Sequence, residues 1–218
     1  MKLKTLQSGS DANCYILTDS NGEMLILDCG LYFNKILKGI GYGMQNIKAV
    51  CVTHRHKDHS LAADRFRGVG IPVISEKGVY TFGQYKIKTF DLVHDVPCIG
   101  FAVTHPEMGM LVYLTDTEYC KYRFKGARHL LVECNYCKDL LDREHPASRH
   151  IFEGHMELET TKAFVKANKK DLQNVILCHM SQTNLDYDRA LTEIKAVCND
   201  TTNVVFATAN EEIILSKE

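Results

Sequence analysis

The opening of the chain alternates apolar and polar residues with the period of two that is typical of half-buried strands. We predict three strands there, over residues 2–7, 12–19 and 23–28. The tetrapeptide Asp-Ser-Asn-Gly at 19–22 has the composition of a tight hairpin turn, so the strands beside it should pair in antiparallel fashion. The chain is therefore expected to begin with an antiparallel sheet.

The spacing of apolar residues changes after residue 30. A helix is predicted over 32–40, because glycines follow at 41 and 43 and glycine commonly ends helices. The apolar run at 47–52 then predicts a buried strand, and a second helix is expected over 60–67. A short polar segment therefore separates a buried strand from a helix.

The rest of the chain continues to mix strands and helices. Apolar runs predict a second sheet over 72–115, with the strands PVIS, VYTF, YKIKTFDLVH, IGFAVTH and MLVYLTD. After residue 127, the predicted strands HLLVEC, NVILCH, NVVFAT and EEIIL alternate with predicted helices over 138–143, 157–167 and 186–197. This order is typical of two facing sheets with helices outside. No linker interrupts the pattern, so we expect a single domain over 1–218.

Composition narrows the class of protein. Hydrophobic residues make up 45% and charged residues 24% of the chain, as in ordinary soluble proteins. No apolar run approaches the roughly 20 residues needed to span a bilayer, and the N-terminus lacks the apolar stretch of a signal peptide. We therefore expect a cytoplasmic protein with no membrane partner, and nothing indicates an obligate protein partner.

Charge gives little support for nucleic-acid binding by itself. The net charge is −1, whereas nucleic-acid binders usually carry a basic excess or a basic face. Two local clusters could form such a face: residues 121–128 and the lysines at 162, 166, 169 and 170. The alternative is that both are ordinary solvated surfaces.

Nine cysteines in a chain without an export signal are expected to be reduced thiols. Most should pack as small apolar side chains in or beside strands, namely Cys14, Cys29, Cys51, Cys98 and Cys178. Cys134 and Cys137 form a C-x-x-C pair, so a redox pair or half of a zinc site is the alternative there.

The polar segment THRHKDHS, at 53–60, is the strongest chemical signal. Imidazole and carboxylate groups are ligands for divalent metals such as zinc. In an extended segment His54 and His56 point the same way and can bind one ion, while Asp58 and His59 can face a second ion after the turn. Further ligands should come from the ends of predicted strands, which carry His94, Asp116 and His179. The alternative is a surface loop that happens to be rich in histidine.

The ordered set H-x-H-x-D-H, a lone His94, Asp116 in T-D-T and a late His179 resembles the metallo-β-lactamase superfamily. The segments SGSDANCYIL and MLILDCG, which contains Asp28, occur in the expected order. This resemblance implies an α+β fold, the four-layer αββα sandwich, with two divalent ions, zinc or manganese and less often iron. It implies that Asp116 bridges the ions, that one is held by His54, His56 and His94, and that the other is held by Asp58, His59 and His179.

Two further segments resemble the compact nuclease-related branch of this superfamily, of the YycJ and WalJ type. HLLVECN presents Glu133, and GHMELETTKAF presents His155. The resemblance implies that these two form a proton-transfer pair that protonates the leaving oxygen, and Asp58 is the third candidate catalytic residue. The implied function is a dinuclear hydrolase that cleaves DNA or RNA as a phosphodiesterase, through a metal-activated water.

Two alternatives remain open at this point. The same metal site could hydrolyse a small ester, lactone, thioester or cyclic nucleotide, which the near-neutral charge would suit. The chain could also be a non-enzymatic binding protein that keeps metal ligands for stability.

Overall fold

The computed structural model describes residues 1–142 and 148–217, and within these ranges the strands form two sheets of six and seven members. In chain order the strands are β1 (Lys2–Gln7), β2 (Cys14–Thr18), β3 (Met24–Leu27), β4 (Ile47–Cys51), β5 (Val73–Ile74), β6 (Val79–Phe82), β7 (Tyr85–Leu92), β8 (Cys98–His105), β9 (Gly109–Leu114), β10 (Ala127–Glu133), β11 (Asn174–Cys178), β12 (Asn203–Phe206) and β13 (Glu212–Ile214). The α-helices are α1 (Phe33–Gly39), α2 (Lys57–Ser60), α3 (Ala63–Gly68), α4 (Ser148–Gly154), α5 (Leu158–Asn168) and α6 (Tyr187–Val197).

The first sheet has the order β13-β1-β2-β3-β4-β5. Its opening strands β1, β2 and β3 are antiparallel neighbours, as the predicted turn at 19–22 requires. β4 and β5 then add in parallel. The second sheet has the order β12-β11-β10-β9-β8-β7-β6, and β7, β9, β10 and β11 all run in one direction. The carboxyl ends of those four strands therefore meet at one edge of the second sheet.

Alternation along the strands creates three apolar layers. On β2, Tyr15 and Leu17 belong to the core between the sheets, whereas Ile16 belongs to the core under the helices. Ile36 of α1 and Phe66 of α3 pack on the outer face of the first sheet. The helices α5 and α6 cover the outer face of the second sheet through Phe164, Val165 and Ile194. The predicted αββα sandwich of the α+β class is confirmed.

Three local predictions were wrong. The run PVIS was expected in the second sheet, but β5 pairs with β4 and completes the first sheet. The helix expected over 60–67 is two short helices, α2 and α3, which are interrupted at 61–62. The described part of the helix expected over 138–143 is a turn at 138–142, where the Leu140 N–H donates to the Cys137 carbonyl at 3.0 Å. Residue 143 lies outside the described ranges.

The cysteines behave as the composition predicts. All nine are free, and the five expected in or beside strands are buried. Cys134 and Cys137 are buried too, and burial raises the pKa of both thiols, which keeps them protonated. Among the described residues, no helix combines the length and the apolar character that crossing a bilayer requires. One domain over 1–218 stays a prediction.

Candidate metal centre

The polar segment 53–60 is held by the loops that follow β1 and β3. The Asn13 N–H donates to the Asp58 carbonyl at 2.7 Å, and the Cys29 N–H donates to the His59 carbonyl at 2.8 Å. A Cβ atom on Gly30 would lie 1.7 Å from the Asp58 carbonyl oxygen, so only glycine permits this approach. Backbone contacts, rather than side-chain contacts, therefore set the position of the metal-ligand segment relative to the neighbouring loops.

One cluster consists of three imidazoles. Nε2 of His54 lies 3.0 Å from Nδ1 of His56, and Nε2 of His94 lies 3.4 Å from the same atom. Burial and the neighbouring His59 lower the pKa of His54 to about 2, and burial also lowers the pKa of His94. Nδ1 of His94 donates to the Gly154 carbonyl at 3.1 Å, which leaves the Nε2 lone pair facing the cluster. Imidazole rings with converging nitrogens are a donor set for a cation.

A second cluster joins two imidazoles to two carboxylates. Nε2 of His59 lies 3.0 Å from Asp58 Oδ2 and 3.1 Å from Asp116 Oδ2. Nε2 of His179 lies 3.7 Å from a carboxylate oxygen of each aspartate and, although buried, has no hydrogen-bond partner among the described residues. A buried polar atom without a partner is costly, so this geometry fits a bound cation.

The charges of the second cluster agree with that fit. Burial opposes protonation of His59, but the carboxylates of Asp116 and Asp28 outweigh it and raise the pKa well above its usual value. Burial likewise opposes protonation of His179, yet Asp116 and its hydrogen bonds raise the pKa to about 10. Protons therefore balance the carboxylates where a cation would otherwise do so, and metal binding would displace them.

A buried network behind the clusters orients His59. Asp28 accepts from Nδ1 of His59 at 2.7 Å, from the Thr53 backbone N–H at 2.8 Å and from the Tyr113 hydroxyl at 2.5 Å. The carboxylate thus fixes the proton of His59 on Nδ1 and directs Nε2 toward Asp58 and Asp116. Such partners behind a ligand typically hold its ring orientation and raise its basicity.

Glu133 and His155 lie against the second cluster. Oε1 of Glu133 accepts from Nδ1 of His155 at 2.7 Å and from Nδ1 of His179 at 2.9 Å. Oε2 accepts the backbone N–H groups of Thr117 and Met156 at 3.2 and 3.0 Å. Burial opposes protonation of His155, but Glu133 outweighs it and raises the pKa of the ring. One fully buried carboxylate therefore orients both a candidate ligand and the candidate proton donor.

Three residues of the site adopt the left-handed backbone region, which side chains other than glycine rarely occupy. They are Asp28, Asp116 and His179, with φ values of 55°, 50° and 50°. Contacts around His179 hold this conformation, because Asn135 Nδ2 donates to its carbonyl at 2.8 Å and its N–H donates to Ser8 Oγ at 3.0 Å. Backbone strain of this kind concentrates at functional sites.

All the candidate ligands and candidate catalytic residues lie together at one edge of the sandwich, which we call the metal edge. The ligand candidates fall into two groups whose donor atoms lie within 4.8 Å of one another: His54, His56 and His94, and Asp58, His59, Asp116 and His179. A third group shares members with the second and adds Glu133 and His155. Because both oxygens of Glu133 already accept two donors each, we do not count it as a ligand. The residues present fit divalent metal ions.

Several supporting residues had no role in the sequence-based hypothesis. Asn13, Asp28 and Gly30 lie in the segments SGSDANCYIL and MLILDCG, which were used only for the resemblance. Tyr113 lies within the apolar strand β9, and Asn135 lies close after Glu133, so neither was assigned a role from the sequence. A polar residue inside an apolar strand, or a glycine directly after one, is the sequence signal that could have identified them.

Comparison with solved structures defines the class. The metallo-β-lactamase fold protein YhfI from Bacillus subtilis superposes with a TM-score of 0.73 and 18% sequence identity, over 97% of this chain and 98% of that one. The chain therefore has the metallo-β-lactamase fold. The model of the family described as anti-Pycsar protein Apyc1 matches residues 6–66, which run from the end of β1 into α3.

Sequence relatives narrow the class to nuclease-related proteins. The chain is 26% identical to the exodeoxyribonuclease WalJ of Streptococcus pneumoniae over 223 residues, which cover 84% of this chain and 82% of the relative. It is 36% identical to a ribonuclease Z of Clostridium botulinum over 183 residues, which cover 80% of this chain but only 56% of that relative. The chain thus combines the metallo-β-lactamase fold with sequence similarity to nucleases, in agreement with the motifs.

Proposed function

We propose that the protein is a metal-dependent phosphodiesterase that cleaves nucleic acid, with DNA as its main substrate. One observation carries the proposal: the Glu133–His155 pair, joined at 2.7 Å, adjoins the carboxylate of Asp116, which lies 3.7 Å from the same ring nitrogen. Relatives named exodeoxyribonuclease and ribonuclease support a polynucleotide as the substrate.

We propose two divalent cations, zinc or manganese, because the donors combine imidazole nitrogen with carboxylate oxygen. The imidazoles of His54, His56 and His94 would hold one. Asp58, His59 and His179 would hold the other, and Asp116 would contact both. Two cations in such a site lower the pKa of water and stabilise charge on the attacking and leaving oxygens of a phosphodiester.

The chain's own residues supply the proton transfer. Glu133 fixes the Nδ1 proton of His155 and stabilises the imidazolium, so Nε2 is the atom from which a proton reaches the leaving oxygen. We propose Asp58 as a catalytic residue as well as a ligand, because its carboxylate is the most exposed of the second cluster and faces incoming water. A positioned general acid such as His155 typically contributes about 10²- to 10⁴-fold to the rate.

The test compares His155→Ala with the parent protein on a labelled DNA strand, on RNA and on bis-p-nitrophenyl phosphate. We expect turnover of DNA and RNA to fall about 10²- to 10⁴-fold while metal content stays unchanged, and turnover of bis-p-nitrophenyl phosphate to fall much less, because p-nitrophenolate leaves without a proton. A chelator should abolish activity, and added zinc or manganese should restore it. His105→Phe, at a histidine buried elsewhere in the second sheet, is the control and should keep full activity.

The outcomes separate the alternatives. Cleavage of the small diester without any cleavage of DNA or RNA would reject the nuclease proposal in favour of a small substrate. Loss of metal from His155→Ala would show that the ring is a ligand. Folded, metal-loaded protein with no hydrolytic activity on any of these substrates would support a binding protein instead. We also infer a cytoplasmic location, since the nine free thiols suit a reducing compartment.

A further inference from the structure

A concave surface lies on the outer face of the second sheet, and its lining contains no residue of the metal clusters. It is a cavity of about 600 Å³ between β7 and the segment 122–125. We call it the side groove and define it by six of its lining residues: Lys88, Phe90, Tyr122, Arg123, Phe124 and Lys125. The metal centre uses none of them.

The side groove carries uncompensated positive charge. Lys88, Arg123 and Lys125 are exposed, and no carboxylate of the described residues lies within 4 Å of their charged groups, while Asp91, which also lines the cavity, is paired with Lys77 at 2.7 Å. In the other basic segment, Lys162 is neutralised by Glu159 at 2.7 Å and by a second carboxylate at 2.6 Å, whereas the exposed Lys166, Lys169 and Lys170 also have no carboxylate of the described residues within 4 Å. On a chain of net charge −1, the side groove is thus a local site for a polyanion.

Aromatic rings form the floor of the side groove. The ring centroid of Phe90 lies 5.7 Å from that of Tyr122 and 4.7 Å from that of Phe124. All three side chains are half-buried, and the Lys121 ammonium lies 5.3 Å from the Tyr122 ring. Basic side chains interleaved with aromatic faces are typical of surfaces that bind single-stranded nucleic acid, because phosphates pair with the charges and bases stack on the rings.

Both walls of the side groove lead along the chain to candidate metal ligands. Phe90 precedes the candidate ligand His94 on the extended chain by about 13 Å, at roughly 3.3 Å per residue. The opposite wall, at 122–125, follows the candidate ligand Asp116 along the chain. Two hydrogen bonds keep the walls side by side near the clusters, from the Val93 N–H to Thr117 Oγ1 at 3.0 Å and from the Glu118 N–H to the Val93 carbonyl at 3.1 Å.

We propose that the side groove binds the single-stranded part of a nucleic-acid substrate while the end of that strand reaches the metal centre. Phosphates contact Lys88, Arg123 and Lys125, and unpaired bases stack on Tyr122. This inference rests on the proposed function, since it assigns a substrate-binding surface to the same enzyme. It also explains how a chain of near-neutral charge holds a polyanion.

The first test measures binding of a fluorescein-labelled oligothymidylate of about ten nucleotides, a length within the usual range of single-strand sites. A His155→Ala background keeps the strand intact. The triple variant Lys88→Ala, Arg123→Ala, Lys125→Ala should bind about a hundredfold more weakly at 0.1 M salt, with a salt slope reduced by about 2, since each lost phosphate contact removes about 0.7. The matched control, Lys166→Ala, Lys170→Ala, Lys195→Ala, removes three exposed charges elsewhere and should bind normally.

The second test addresses stacking. Tyr122→Ala should weaken binding of the strand about tenfold, whereas Tyr122→Phe, which keeps the ring, should retain it. Neither change should affect a blunt duplex of the same length, because paired bases cannot reach the rings. Equal losses for strand and duplex would overturn the assignment to single strands.

A third measurement separates this inference from the proposed function. The groove triple variant should hydrolyse bis-p-nitrophenyl phosphate at the parent rate, and a loss there would overturn the inference by placing the damage at the metal centre. If both triple variants bound the strand equally tightly, the inference would be wrong, whereas the proposed nuclease function would be unaffected. A parent protein that binds the strand through the side groove but cleaves no nucleic acid would instead reject the proposed function alone.

Discussion

Among the described residues, histidines and carboxylates cluster at two places in the sandwich. The first is the metal edge, where β4, β7, β9 and β11 end. The second joins Asp19, in the turn after β2, to His105, the last residue of β8, and to Glu107, in the turn after it. Because β8 runs antiparallel to β7 and β9, this second cluster lies at the opposite edge of the sheet. The two sites have similar composition, so only their hydrogen bonds tell them apart.

At the opposite edge, turns occupy most of the polar atoms, but Asp19 Oδ2 and His105 Nε2 have no hydrogen-bond partner among the described residues. Asp19 Oδ1 accepts the N–H groups of Asn21 and Glu23 at 2.9 and 2.8 Å, and Glu107 accepts the Ser20 hydroxyl at 2.7 Å. Nδ1 of His105 accepts the Glu107 N–H at 3.3 Å, which places the ring proton on Nε2, directed at Asp19 Oδ2 3.6 Å away. The lone pair that a metal needs is therefore not available, and this cluster ties two hairpins together.

The metal edge is built in the opposite way. There the second nitrogen of each ring donates backwards, from His59 to Asp28 at 2.7 Å and from His179 to Glu133 at 2.9 Å. The forward nitrogens converge on a shared space, and they would offer their lone pairs once metal binding displaces the protons that these rings carry. The comparison teaches that residue types alone do not define a metal site; the partner of the far ring nitrogen does.

The largest expected effect comes from removing Asp116, because both proposed ions contact it. Asp116→Ala should lower the metal content from two ions per chain toward zero and abolish hydrolysis. Asp19→Ala, at the opposite edge, is the matched control and should leave metal content and activity unchanged. Plasma emission spectrometry and turnover of bis-p-nitrophenyl phosphate measure both. Equal metal loss from the two variants would erase the distinction between the edges.

A smaller effect should follow from Gly30→Ala, which changes no polar atom. The added Cβ would meet the Asp58 carbonyl oxygen at 1.7 Å, so the segment carrying Asp58 and His59 must shift. Displacement of catalytic groups by about 1 Å commonly costs about 10²-fold in rate, and we expect that loss together with weaker metal binding. Gly68→Ala is the control, since nothing lies within 4 Å of its Cβ position. Unchanged kcat/KM in Gly30→Ala would show that the backbone contacts do not set the site.

The sequence predicted those parts of the fold and site that depend on local pattern. Alternation and the turn at 19–22 predicted the opening sheet, and motif order predicted which residues meet at the metal edge. The sheet that β5 joins could not be predicted, because a run of two paired residues suits either sheet equally well. The turn at 138–142 was missed because its apolar spacing is also helical.

The roles of supporting residues were also beyond sequence reasoning. His105 and His59 both sit near aspartates, and nothing in their spacing says which ring nitrogen carries the proton. That property depends on a hydrogen bond to a residue distant in the chain for His59, and to the Glu107 backbone for His105. Long-range partners such as Tyr113 on Asp28 become visible only when the sheets are packed together.

The smallest effect is expected at the opposite edge and sharpens the comparison most directly. His105→Phe keeps a ring of similar size beside Tyr85, 4.8 Å away, but removes the donor that faces Asp19 Oδ2. At 3.6 Å this contact is too long for a hydrogen bond, and Asp19 Oδ2 has no hydrogen-bond partner among the described residues, so the change should lower the free energy of unfolding by less than about 1 kcal/mol. Urea unfolding measures this loss, and metal content and kcat should match the parent. If His105→Phe instead released an ion, the cluster would be a metal site and the tautomer argument would be wrong.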